Sequence, residues 1–346
     1  MEIWQIAGIV LAVVLLTCII IFCVVKKIID KIFKRVERPN YSSLVQFKDV
    51  KREYPAELLK FRSGDNMLQG YLLGAENTKG LVVVVHGLGG GAEGYLNEIL
   101  YFVKHGYRVF AYDNTGYHLS EGKNCVGLPQ AVEDLDAALT FIENESRFSG
   151  LPVYLFGHSW GGYSVCAILN FNHKVNAVVS VSGFSNPKKM IFEWGKRMVG
   201  KFAYVFAPFM YLHQQLMFGD KLKITAVAGI NKADIPVLLV HGSKDPTVKL
   251  EGAATISRKN EITNPKAQYL LWEKEGQNGH LDVLYEVAAR EYGFQISEQY
   301  RDLLKKTRNQ LTEEDKAEFF ANVDKTKSSV SNEELMGQIA EFFEQA

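Results

Sequence analysis

Val153-Tyr154-Leu155-Phe156-Gly157-His158-Ser159-Trp160-Gly161-Gly162 is the stretch from which the rest of the chain is read. Its first four residues are apolar and suit a buried strand. Gly157-His158-Ser159-Trp160-Gly161 fits G-x-S-x-G, and apolar residues return at helical spacing as Tyr163, Val165, Cys166, Ile168 and Leu169. Strand, tight turn and helix is the setting in which this pattern lifts a serine hydroxyl clear of a sheet edge. The glycines have a steric reason, because side chains flanking so sharp a turn would collide. The duller alternative, a chance Gly-Ser-Gly turn, leaves the pattern on both sides unexplained.

Outward from this turn, apolar runs alternate with helical periods. Leu58 to Arg62 and Leu68 to Leu73 flank Ser63-Gly64-Asp65-Asn66 and read as a hairpin. Leu81 to Val85 is continuously apolar and β-branched, as in the middle of a parallel sheet. Tyr107–Tyr112, Ala177–Val181, Pro236–Val240 and Gln268–Trp272 are further strands, and helices are expected over 128–145 and Glu333–Phe343. Such alternation implies an α/β fold, with a mostly parallel sheet covered by helices on both faces. Functional side chains then belong on loops at the carboxyl ends of the strands. Residues 184–233 break the alternation and are crowded with aromatics.

The first residues are of another kind. Ile3 to Val25 is 23 residues without a charge, long enough to cross a hydrocarbon core of about 30 Å. A cleaved signal peptide would carry basic residues ahead of the apolar run, and Met1-Glu2 supplies none. A core helix would not be apolar on every face. We therefore expect a membrane anchor in 1–25, a basic amphipathic linker in 26–49 and one catalytic domain in 50–346. Lys26, Lys27, Lys31, Lys34, Arg35 and Arg38 all follow the apolar run, which places the domain on the cytoplasmic side. Ile28, Ile29, Ile32, Phe33 and Val36 give 26–38 an apolar face. It either lies along an anionic surface or continues the anchor helix, with Pro39 ending it.

Composition narrows the rest. The 346 residues carry 39 basic and 39 acidic side chains, which argues against a nucleic-acid partner. Four cysteines without a C-x-x-C pair suggest neither a disulfide framework nor a zinc site.

A serine hydroxyl needs a base, and the base needs an orienting carboxylate. Asp245 is the candidate acid, because His241-Gly242-Ser243-Lys244-Asp245 follows an apolar strand. Asp245-Pro246 would also make a good helix cap, and Asp234 and Asp282 are the fallback acids. His280, in Glu275-Gly276-Gln277-Asn278-Gly279-His280 after the last strand, is the candidate base. His86-Gly87-Leu88-Gly89-Gly90 lets backbone amides approach a substrate, and the Leu88 and Trp160 N–H groups are the candidate oxyanion donors. His86 is expected to hold that loop. The glycine run lacks the Lys-Ser/Thr of a phosphate-binding loop. No metal or organic cofactor is called for.

These pieces together resemble the α/β-hydrolase superfamily. They are His86-Gly87-Leu88-Gly89-Gly90, Asp113-x-x-Gly116-x-x-x-Ser120-x-Gly122, Gly157–Gly162, His241-Gly242-Ser243-x-Asp245 and Gly279-His280. The branch is similar to the serine aminopeptidase/monoglyceride-lipase-like group. The chain departs from it at Asn114-Thr115 and in a long stretch over 283–330. The resemblance implies a helical lid after the sixth strand, over about 184–233, whose aromatics either line an acyl pocket or merely pack the lid to the sheet. It also implies a serine hydrolase acting through Ser159, His280 and Asp245 and an acyl-enzyme on a carboxylic ester, lipid-like or small. Amide cleavage of short peptides is the first alternative, and a non-catalytic membrane-tethered scaffold the second.

Overall fold

The computed structural model describes residues 2–346. Helix α1 runs unbroken from Ile3 to Ile32. A single turn, α2 (Phe47–Val50), precedes the hairpin β1 (Glu57–Ser63) and β2 (Asn66–Leu73). There follow β3 (Leu81–Val85), α3 (Leu96–Lys104), β4 (Arg108–Tyr112), α4 (Gln130–Asn144), β5 (Val153–His158), α5 (Trp160–Ala167) and β6 (Ala177–Val181). Then come α6 (Pro187–Val199), α7 (Ala203–Phe218), α8 (Ala226–Lys232), β7 (Val237–Gly242) and β8 (Ala267–Trp272). The chain ends with α9 (Val287–Lys306), α10 (Glu313–Ala321), α11 (Lys325–Ser328) and α12 (Glu333–Glu344).

The eight strands form one sheet in the order β1-β2-β4-β3-β5-β6-β7-β8. Only β2 runs against its neighbours; β4-β3-β5-β6-β7-β8 pair in parallel. The all-apolar β3 lies at the centre, buried on both faces as its composition requires. Side chains alternate across a strand. Leu81, Val83 and Val85 therefore join one core with α4 and α5, while Val82 and Val84 join the other with α3 and α12. Parallel strands bring the ends of β3, β5 and β7 to one edge of the sheet, and the candidate site is built there.

The amino-terminal helix is long and apolar enough to cross a membrane, and only 6% of its most apolar window is buried. Its last turns behave differently. Val25, Ile29 and Phe33 are buried in the same core as α4 and α5. Burying each such side chain stabilises by about 1.5–3 kcal/mol, so the base of α1 is docked on the domain. The helix ends at Ile32, short of Pro39, because the next residues exchange helical bonds for tertiary ones. Val36 donates to Gly116 O at 3.0 Å and accepts from His118 N–H at 2.8 Å.

Residues 184–233 pack between sheet and α1. Phe184 stacks on Tyr163 with centroids 4.7 Å apart, and Trp194 meets Phe33 at 6.1 Å. On α7 His213 meets Phe22 of α1, while Val205, Leu212, Leu216 and Met217 stay exposed.

Candidate active site

The turn after β5 has the strain that its sequence implies. Ser159 adopts φ +57° and ψ −110°, a conformation that costs on the order of 1–3 kcal/mol and persists only when its surroundings enforce it. Two close approaches do so. A Cβ on Gly161 would fall 2.0 Å from Val85 O, and one on Gly157 would fall 2.4 Å from Gly161 O. Glycine at these positions lets α5 start directly against β3.

Three distant side chains converge on this turn. His280 Nε2 lies 2.8 Å from Ser159 Oγ, and His280 Nδ1 lies 2.7 Å from Asp245 Oδ2. A carboxylate oxygen accepts, so Nδ1 carries the hydrogen and Nε2 is left to accept from the serine hydroxyl. Asp245 divides its two oxygens. Oδ1 accepts from the amides of Thr247 and Val248 at 2.7 and 2.9 Å, while Oδ2 faces His280. No helix follows Asp245-Pro246, so these bonds close a turn over 245–248 and the expected helix cap is not formed. Burial pushes this carboxyl up. The hydrogen bond and charge of His280, the Val248 amide and nearby His241 outweigh burial and hold it below the usual range. The fallback acids are engaged elsewhere, Asp234 with Lys266 and Asp282 with Arg290.

The glycine loop after β3 is pinned beside the serine. His86 donates from Nδ1 to Gly87 O at 2.8 Å and accepts at Nε2 from Asn114 N–H at 3.0 Å. Complete burial drives its pKa down to about 3, so it stays neutral and acts as a strut, as expected. A Cβ on Gly87 would meet Tyr95 Oη at 2.7 Å and Ser159 Cβ at 3.3 Å. Leu88 lines the cavity beside Ser159. Trp160 is the first residue of α5, where a backbone N–H has no acceptor within the helix. Its indole is buried and donates to Leu128 O at 2.7 Å.

Sequence reasoning missed a relay behind these groups. Gly87 N–H donates to Tyr95 Oη at 2.9 Å, Tyr95 O–H to His158 Nδ1 at 2.8 Å, and His158 Nε2 to His280 O at 2.9 Å. The glycine loop after β3 and the loop bearing His280 are thereby tied through one neutral imidazole, whose pKa burial and then the His280 ring lower to about 3. The signal was present in Tyr95 and His158, but nothing in their spacing says that they meet.

Ser159 and His280 open onto a cavity of about 530 Å³, within the usual range for small-molecule sites. Its floor is Gly87–Gly90 and Tyr95; its walls are Ser42–Gln46 and, from α9, Ala289, Arg290, Gly293, Phe294 and Ser297. No residue of 184–233 lines it; Phe184 and Trp194 pack on Tyr163 and Phe33, while Phe202 and Tyr204 stay exposed. Among the described residues no cluster of His, Cys, Asp and Glu is arranged to hold a metal ion.

This fold and this edge are those of the α/β-hydrolase fold. Residues 76–228 match the family described as serine aminopeptidase, S33. The chain is 22% identical over 160 residues to a monoglyceride lipase of Saccharomyces cerevisiae, covering 44% of this chain and 50% of that one. It is 30% identical over 95 residues to an uncharacterized abhydrolase domain-containing protein of Dictyostelium discoideum, covering 27% of this chain and 9% of the other. The matches span 9% to 65% of the lengths of the curated relatives. An esterase of Pyrococcus furiosus has a solved structure with TM-score 0.55 and 19% identity, covering 79% of this chain and 98% of that one. At that identity the likeness is one of fold.

Proposed function

We propose that this hydrolase cleaves a carboxylic ester with an apolar acyl group, with Ser159 as nucleophile, His280 as base and Asp245 as its orienting acid. The observation that carries this is the continuous line from Asp245 Oδ2 through His280 to Ser159 Oγ, with links of 2.7 and 2.8 Å. Ser159 Oγ attacks the ester carbonyl as His280 Nε2 takes its proton, and Asp245 stabilises the imidazolium that forms. The Leu88 and Trp160 amides hold the oxyanion; losing one such donor costs about 10²–10³ in rate. As the tetrahedral intermediate collapses, His280 returns the proton to the departing alcohol. A water molecule, deprotonated by the same imidazole, then attacks the acyl-enzyme and releases the acid and free Ser159.

Ester is preferred to peptide because the cavity offers no free acid for an amino terminus. Glu93, its acidic lining residue, is taken up by the Arg38 guanidinium, the Phe47 amide and Gln46. The apolar helix 3–25 is read as a membrane anchor, with the domain on the cytoplasmic side by its flanking cations. Two of those cations also hold the fold together. Arg35 donates to the carbonyls of His118, Ser120 and Gly122, and Arg38 pairs with Glu93.

The test is a panel of p-nitrophenyl acyl esters and aminoacyl-nitroanilides on the full chain in detergent. Esters should be turned over at least about 10² better in kcat/KM, and Ser159→Ala should lower kcat by about 10³ or more. Preference for the anilides would make it a peptidase, and equal rates for Ser159→Ala and wild type would make it a scaffold.

A further inference from the structure

In this chain the cover over Ser159 is not drawn from the helices after β6. It comes from the loop that leaves the amino-terminal helix and from α9. Loop 39–46 is closed at its base, where Gln46 Nε2 donates to Pro39 O at 3.0 Å. Both ends are fastened to one buried residue of the glycine loop: Arg38 pairs with Glu93, and Phe47 N–H and Gln46 Nε2 donate to it at 2.8 and 3.1 Å. From the other side Val45 N–H donates to Ser329 Oγ at 2.9 Å. The middle of the loop, Ser42 to Val45, is held over the cavity without filling it. Opposite stands Phe294, 63% exposed, as an apolar lip on α9.

We propose that Ser42–Val45 and Phe294 form the wall that binds and selects the apolar acyl chain of the ester, so that the exit of the amino-terminal helix is part of the substrate site. This rests on Ser159 being the acylated residue. Three features support it. Leu44 and Val45 are the loop's apolar side chains and sit on the cavity lining with Leu88. The Glu93 clamp places the loop against the same glycine segment that faces the reacting carbonyl. The ionic side chains of the lining are already paired, Glu93 with Arg38 and Arg290 with Asp282, so neither is a free charge facing the wall.

Two measurements on the full chain in detergent decide it. In the first, p-nitrophenyl esters from acetate to dodecanoate are compared on wild type, Leu44→Trp and Phe294→Ala. Leu44→Trp should lower kcat/KM for octanoate and longer esters at least about 10-fold and leave acetate within about 3-fold, since an extra ring in the wall removes room only from long chains. Phe294→Ala should flatten the chain-length preference. A uniform loss at every length, or no change at any, overturns the wall. The second does not depend on a bulky variant folding. With Cys18 and Cys23 replaced by Ala, Ser43→Cys is labelled with a maleimide before and after Ser159 is blocked. A dodecyl fluorophosphonate should slow labelling at least about 5-fold and an ethyl one should not, as a bound chain lying on the loop shields it. Equal labelling after both reagents overturns the proposal. If wild type neither reacts with fluorophosphonate nor turns over acetate, the role of Ser159 itself falls; if it does both while the variants and the label are indifferent, only the wall falls.

Discussion

The proposed reacting groups and their proposed cover are assembled by opposite means. Ser159, Asp245 and His280 sit on short loops after β5, β7 and β8, where the parallel sheet itself sets their positions. The cover is made of 39–46 and α9, from segments outside the sheet, held by side-chain bonds to Glu93 and Ser329. The first arrangement follows from topology and glycine sterics. The second is a particular set of contacts that other α/β-hydrolase chains need not share. Substitutions in the first region should alter the chemical step, and those in the second the choice of substrate. Substitutions in the helices that usually supply a lid should alter neither.

The largest separation is expected at Asp245. Asp245→Asn retains an oxygen for the Thr247 and Val248 amides but loses the charge that fixes the His280 tautomer. Its kcat should fall by about 10³–10⁴ with little loss of stability, as read by ester turnover beside a thermal melt. A proportionate fall in both melting temperature and rate would make the residue a turn support rather than a participant.

A middle-sized effect belongs to the junction of the two regions. Glu98 of α3 is buried near Tyr95 and Tyr285, neither of its oxygens has a hydrogen-bond partner, and burial raises its pKa to about 7. An acid whose folded pKa lies above its unfolded value binds more protons when folded. Its stability contribution is full below about pH 4.5, declines as pH rises towards 7 and stays low above that. Thermal melts of wild type should therefore fall between pH 5 and 7.5 more than those of Glu98→Gln, by several degrees. Buried Asp134, raised to about 6, titrates over part of the same range but is common to both proteins and cancels in the comparison.

The smallest effect is expected on α7. Leu216 is 69% exposed and absent from the cavity lining, so Leu216→Ser should leave kcat/KM for p-nitrophenyl butyrate within about 2-fold. A large loss would return the aromatic segment 184–233 to the site and weaken the contrast between the two regions.

The same contrast explains what could be read from the sequence. β3, β5 and β7 are apolar runs that lead into glycine, and that combination dictates both a buried parallel strand and a sharp exit. Ser159 and Asp245 therefore had a recognisable address, while His280 was read only from its loop after the last strand. Asp245 carried two signals, helix cap and acid; no helix follows it, and its two oxygens instead close a turn with Thr247 and face His280. The cover had no such address. Leu44 and Val45 are two apolar residues without a period, and Glu93 is one acid in a glycine-rich loop. Arg38 reads as membrane-flanking charge until its partner is seen. The aromatics of 184–233 had composition but no direction; packing against Tyr163 and Phe33 gave one to Phe184 and Trp194. The stretch 283–330 was legible as extra length, and that α9 within it walls the cavity was not.

The central claim is that Ser159 is made nucleophilic by His280, and one labelling measurement addresses it directly. Treated with a fluorophosphonate, the protein should gain a single adduct that peptide mass spectrometry locates on Ser159, and His280→Ala should slow its formation by about 10³ or more. An adduct on another residue, or labelling of Ser159 at the same rate without His280, would contradict the account.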